Sequence, residues 1–175
     1  MNAGREGDGL LSAMHALYGG DEEKAYALLP ADEELTAHEA ATFGREKRLR
    51  ALLDEDPTRA GEFSADGFSP LHGAVFGGHA NTVLLLLECG ADPNVRATSS
   101  IARVPPLGTA AFVRRTDLAE LLLDAGADPN GQGEGGFTAL DTAVQNEDED
   151  LIALLLSRGA DPEIGAGIAR ERLKH

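Results

Sequence analysis

The string Gly-Ala-Asp-Pro-Asn occurs at residues 90–94 and again at 126–130, and Gly-Ala-Asp-Pro-Glu stands at 159–163. Their first residues lie 36 and 33 positions apart. Each copy follows a leucine-rich run, at residues 84–87, 121–123 and 154–156. A period near 33 residues marks a stacked repeat array, in which every unit buries its apolar face against the next. A row of equivalent interfaces then replaces a central core. Such arrays present a long surface and carry no enclosed catalytic pocket.

The unit is clearest over residues 64–96. Ser69 followed by Pro70 reads as a helix start, with the hydroxyl capping a free N–H and proline in the first turn. A short helix is expected from Pro70 to Gly77, where Gly77-Gly78 ends it. A second is expected from about Ala80 to Glu88, stopped by Gly90 and the Asp92-Pro93-Asn94 turn. Helices this short are marginal in water. Val83, Leu84, Leu86 and Leu87 must therefore be covered by a neighbouring unit. With no Trp, two Tyr and six Phe in 175 residues, the core has to come from Ala, Leu and Val.

At these residues the chain resembles the ankyrin-repeat family: Ser69-Pro70-Leu71-His72-Gly73-Ala74 is similar to the family's Thr-Pro-Leu-His-x-Ala, and the likeness continues through Gly78-His79 and residues 90–94. The resemblance implies an all-α repeat solenoid, an ankyrin-like stack of helix–turn–helix units with projecting hairpin loops and terminal capping helices. It covers residues 33–163. The expected organisation is a disordered stretch at 1–8 and an ankyrin-repeat domain at 9–165. Within it lie an N-terminal capping helix pair (9–31) and repeats at 32–63, 64–96, 97–130 and 131–163. A C-terminal capping helix follows at 166–175, with Ile168 and Leu173 facing inward.

Several units depart from the pattern. The first carries His38, 34 residues before His72, and replaces the Gly-Ala-Asp turn by Asp54-Glu55-Asp56-Pro57. In the family the motif histidine bonds within its repeat and steadies the neighbouring loop. Gly108 lacks that capacity and Asp141 is expected to replace it in part. Arg114 and Glu147 fall where a left-handed backbone is expected, at a cost of ~1 kcal/mol each. The third and fourth units should therefore exchange amide protons faster, at residues 118–123 and 151–156, than the second at 82–87.

The net charge is −15, from 15 basic and 30 acidic residues. Nucleic acid and anionic membrane both require a concentrated basic surface, so neither is expected as a partner. A basic protein partner is compatible with that field, as is solubility alone. The lone Cys89 excludes an intramolecular disulfide. The first residues lack a signal-peptide pattern, and no apolar run approaches the ~18 residues of a membrane span. A soluble, cytoplasmic protein is expected.

No enzyme is expected. Residues 131–136 spell Gly-x-Gly-x-x-Gly, but the dinucleotide fingerprint needs a strand before it and a helix after it, and Glu134 would oppose a pyrophosphate. The histidines lack metal-ligand spacing, the acidic run 147–150 lacks calcium-loop spacing, and Cys89 sits beside Glu88, which disfavours a thiolate. No catalytic residue, cofactor site or metal site is assigned.

The phenylalanines indicate a partner surface. Phe43, Phe76 and Phe112 fall at the C-terminal end of the first helix in successive units, which by resemblance faces the concave groove. Gln145 and Asn146 hold that place in the fourth. Phe68 and Phe137 lie in the loops just before a first helix. The expected partner-binding set is Phe43, Phe68, Phe76, Phe112, Val113, Arg114, Arg115, Phe137, Gln145 and Asn146. The function so read is a non-catalytic protein–protein interaction module, monomeric, holding a partner through its concave groove and loop tips. The alternatives are a self-associating homodimer and, behind it, an anion or small-molecule binder using Arg96, Arg103, Arg114 and Arg115.

Overall fold

The computed structural model describes residues 13–17, 19–100 and 102–173. Residues 1–8 fall outside that set. Among the described residues the chain is all helix and loop, without strands. Residues 13–17 (α1) and Glu22–Ala27 (α2) form the first pair. They are followed by Ala37–Thr42 (α3) with Glu46–Glu55 (α4), Pro70–Phe76 (α5) with Ala80–Glu88 (α6), and Pro106–Phe112 (α7) with Thr116–Asp124 (α8). Ala139–Gln145 (α9) with Glu149–Ser157 (α10) completes the series, and Ile168–Arg172 (α11) closes it.

Each short inner helix starts on a local signal. Ser69 accepts from the His72 N–H and Pro70 fills the first turn of α5. Thr36 with Glu39, and Thr138 with Asp141, form reciprocal capping boxes on α3 and α9. Asp148, within the acidic run, caps α10 by accepting from Leu151 N–H at 3.2 Å. The inner helices end in a left-handed residue: Gly44 and Gly78 in two units, Arg114 (φ 57°) and Glu147 (φ 54°) in the next two. The latter are the two non-glycine residues with positive φ among those described.

One continuous core runs the length of the stack, from Leu35 to Ala169. Leu49, Leu86, Leu118, Leu122, Leu151 and Leu155 are fully buried between successive hairpins, and Ala40, Ala74, Ala110 and Ala143 let the inner helices approach closely. The tightest approach is α3 on α5. A Cβ at Gly73 would strike the Thr42 hydroxyl and crowd the His38 ring. A second cluster joins α1 and α2 to the array: Ala13, Met14, Ala16 and Ala25 pack with Phe43.

Two polar rails tie the units together. On one, Asn94 Nδ2 donates to Gly126 O at 3.0 Å while its Oδ1 accepts from Asp128 N–H at 2.7 Å. Asn130 repeats both bonds, to Gly159 O (3.1 Å) and from Asp161 N–H (2.7 Å). The asparagine of each Gly-Ala-Asp-Pro-Asn therefore sews its unit to the next. Glu163 occupies the same place in the copy at residues 159–163. On the second rail the His79 ring bonds Thr42 O, Arg115 Nη1 donates to Gly78 O (3.0 Å), and Asn146 Nδ2 donates to Ala111 O (3.1 Å).

Asp141 takes over more than the absent histidine's place. It is fully buried, and its two oxygens accept from Thr138 N–H and O–H and from the N–H groups of Ala166, Ile168 and Ala169. One carboxylate thus caps α9 and fixes the start of α11. In α11 Ala169 is the buried residue, and Leu173, expected inward, is 37 % exposed. The five-residue helix is anchored by its N-terminal amides and turns Leu173 out.

Candidate partner-binding groove

Three loop positions are equivalent by the repeat spacing: Phe68, Val104 and Phe137 lie 36 and 33 residues apart. Each immediately precedes a residue that starts an inner helix. Phe68 and Phe137 are each held by a tight loop, closed by Ser64 N–H to Phe68 O (2.8 Å) and Gly133 N–H to Phe137 O (2.7 Å). Val104 is held through the array, its carbonyl accepting from His72 Nε2 at 2.9 Å and from Ala97 N–H at 3.1 Å. Because a carbonyl can only accept, His72 carries its proton on Nε2, and Nδ1 accepts from the Ser69 hydroxyl at 2.8 Å. Neighbouring loops also meet through Thr98 N–H to Gly67 O (2.8 Å), where a Cβ at Gly67 would strike the Ser99 backbone.

These loops stand over the inner helices and enclose an open apolar groove of about 680 Å³. Phe68, Val104, Pro105 and Phe137 form its loop side, and Phe76 and Phe112 its helix side. Phe112 is 68 % exposed and Phe137 38 %, while Phe68 and Phe76 are half-buried. Its floor is lined by Thr42, Thr109, Thr138 and Thr142 together with His38 and His72. At Gly108, where His72 and Asp141 stand in the flanking units, the floor is backbone. Burial holds both imidazoles below the ordinary 6.5, His38 at about 4, with Asp66 partly opposing the shift at His38. The floor is therefore uncharged at neutral pH.

The groove brings together Phe68, Phe76, Phe112 and Phe137 of the expected set. Phe43 is a correction: it is 2 % exposed, packed against the N-terminal pair with Tyr26 edge-on at 5.8 Å. The reason is register. Phe43 lies one residue before its left-handed glycine, Gly44, whereas Phe76 lies two before Gly78 and Phe112 two before Arg114. Counted from the left-handed residue, Thr42 stands where Phe76 and Phe112 do, so Thr42 holds the groove position and Phe43 turns inward. The 34-residue step from His38 to His72 already carried that signal.

Val113 and Asn146 share Phe43's register, one residue before the left-handed position, and do not line the groove. The Asn146 amide is committed to Ala111 O. Arg115 is likewise a structural residue, bidentate to Asp117 at 2.8 and 2.7 Å with its remaining amine on Gly78 O. Arg114 and Gln145 are exposed but lie outside the groove lining. None of the four arginines proposed for an anion lines it. Sequence reasoning missed the threonine floor. Its signal was the helical period, since Thr109 and Thr142 sit three residues before Phe112 and Gln145. The Gly-x-Gly-x-x-Gly string forms a loop with a single 3-10 turn, Glu134–Gly136.

Paired helices repeating every 33–36 residues, joined by loops that hydrogen-bond to their neighbours, define a helical repeat array. Two family profiles match, both described as ankyrin repeats: one of three copies over residues 6–97, one of many copies over 109–156. The chain belongs to the ankyrin-repeat family. The first match begins at residue 6 and so takes in the helix pair that sequence reading set aside as a cap. Ankyrin repeats are generally protein–protein interaction modules and typically non-catalytic. A search of curated proteins gives no match. Among the described residues no helix is long and apolar enough to cross a membrane, and no group of three His, Cys, Asp or Glu is placed to hold a metal ion.

Proposed function

We propose that this chain is a non-catalytic module that holds a segment of another protein in the groove between the loops and α3, α5, α7 and α9. The observation that carries the reading is Phe112, a phenylalanine 68 % exposed at the edge of a mostly apolar groove, in a protein with six phenylalanines to spend on its core. Aromatic side chains are enriched at interface centres and among the residues that dominate binding energy. Residues 9–165 act as one array on this reading, with the flanking helices closing its ends.

The test is Phe112→Ala. Its exposed ring contributes little to the fold, so stability should change by less than about 1 kcal/mol, against about 3–5 for a core phenylalanine. Affinity purification with mass spectrometry should lose a defined partner in the variant and keep it in Phe63→Ala, an exposed phenylalanine outside the groove lining. A stability loss of 3 kcal/mol would assign Phe112 to the core and end the proposal. Loss of a concentration-dependent dimer, with no other protein affected, would assign the groove to self-association.

A further inference from the structure

We propose that the occupant of the groove is a cationic segment of a partner protein, about nine residues long, with an apolar anchor flanked by Lys or Arg. The proposal rests on the groove reading above and adds the chemistry of what fills it.

The groove lining contains two carboxylates, Asp66 and Glu134, and no Lys or Arg. Both carboxylates are exposed, and neither forms an ion pair with another described residue. They stand on different loops, Asp66 two residues before Phe68 and Glu134 three before Phe137, so each loop offers one negative charge beside one aromatic ring in the chain. His38 and His72 are neutral and supply no compensating charge. A long apolar stem ending in a cation is the side chain that suits such a site: the stem lies on the rings and the head reaches a carboxylate. Arginine can stack on an aromatic face as well. An acidic segment would bring its carboxylates against two unpaired ones and be rejected. The net charge of −15 acts in the same direction at longer range.

The length follows from the fold. The groove crosses four inner helices, from His38 and Thr42 on α3 to Thr142 on α9. Packed helices lie roughly 10 Å apart, which makes the span about 30 Å. An extended chain covers roughly 3.3 Å per residue, hence about nine residues.

The probes are fluorescein-labelled degenerate peptide pools of that length: Leu/Phe with Lys/Arg, Leu/Phe with Asp/Glu, and Ser/Gly with Lys/Arg. Fluorescence anisotropy on the full chain at physiological salt should show the apolar–cationic pool binding about tenfold tighter than either other pool. Asp66→Asn combined with Glu134→Gln should weaken it about fivefold, the effect of losing two exposed charge pairs. Asp54→Asn with Glu88→Gln removes the same charge from α4 and α6, away from the groove lining, and should change binding less than about twofold. Equal weakening by both pairs would reduce the effect to the general field and overturn the proposal. So would an absence of binding by the apolar–cationic pool up to about 1 mM, the weak end of specific affinity. If the apolar–acidic pool binds instead and Phe112→Ala abolishes it, the groove reading stands and the cationic assignment falls. Binding that ignores Phe112→Ala overturns both.

Discussion

Phe43 and Phe112 show how one residue of register decides a side chain's work. Both end a short inner helix, yet one is sealed under the N-terminal pair and the other stands in solvent. Phe43→Ala should therefore cost about 3–5 kcal/mol in chemical denaturation, with the loss concentrated at the junction of α1 and α2 with α3. A cost below 1 kcal/mol would mean that the ring is not core. The Ser69 cap and the left-handed glycines were readable in advance because they follow from residue type and spacing, and the role of the His72 ring came with the family resemblance. Phe43 was misread because its face is set by its distance from the left-handed residue, one position for Phe43 against two for Phe76 and Phe112. Asp141 was read as a partial substitute for histidine. Its full role needs three amides from residues 166–169, which no local pattern announces.

His38 belongs to this scale as well. Burial holds its imidazole at about 4 against the ordinary 6.5, so the folded state prefers the neutral ring. As pH falls below 6.5 the unfolded chain gains a proton that the folded chain refuses until about 4. Stability present above pH 6.5 should drop across that window, by up to about 3 kcal/mol for a gap of this size. His72, shifted in the same direction, adds to the loss. Denaturant midpoints measured between pH 7 and 4 check this, with His38→Gln flattening the slope. An unchanged slope in that variant would assign the acid sensitivity elsewhere.

At the scale of the element, the four inner helices are not equally well finished. Helices α3 and α5 end in left-handed glycines, and α7 and α9 end in Arg114 and Glu147 with the same backbone. A residue with a Cβ pays about 1 kcal/mol or more for that conformation. Arg114→Gly and Glu147→Gly should each raise stability by roughly 0.5–1 kcal/mol, the strain relieved less the entropy a glycine gains when unfolded. Thermal unfolding of the two variants measures it, and a fall in both midpoints would show that the side chains hold contacts worth more than the strain. Helix positions and the order of elements were legible from period, caps and turn residues. The groove was legible as a side of the molecule, since aromatic residues at equivalent places mark a face, but its floor was not. The threonines that line it carry no signal of their own in sequence and meet only when α3, α7 and α9 bring them to one groove.

At the scale of the whole molecule, stability is a chain of neighbour contacts, so damage should stay near its origin. Asp141 tests this. Burial raises its pKa, but the bonds from Ala169, Ala166 and Thr138 outweigh that and hold it below the ordinary 3.8. Its contribution is complete above pH 4 and is lost as pH falls through the lowered value, a window separate from that of the histidines. Asp141→Asn should remove about 2–3 kcal/mol at neutral pH by opposing an amide to bound N–H groups. Hydrogen exchange should quicken in α11 and α9 while α3 and α5 keep their protection. Uniform loss along the array would mean that the molecule opens as one unit.

The asparagine rail also sets where such a chain can lengthen. Asn94 and Asn130 ask of whatever follows only one carbonyl and one amide in the register that residues 126–128 and 159–161 supply. A duplicated copy of residues 97–130 spliced after Asn130 would offer both, and would in turn grip residues 159–161. The same insert placed after residue 163 would meet Glu163, whose side chain lacks the amide N–H that Asn94 and Asn130 donate. Duplication is therefore open after Asn130 and hindered after residue 163, unless Glu163→Asn supplies the missing donor.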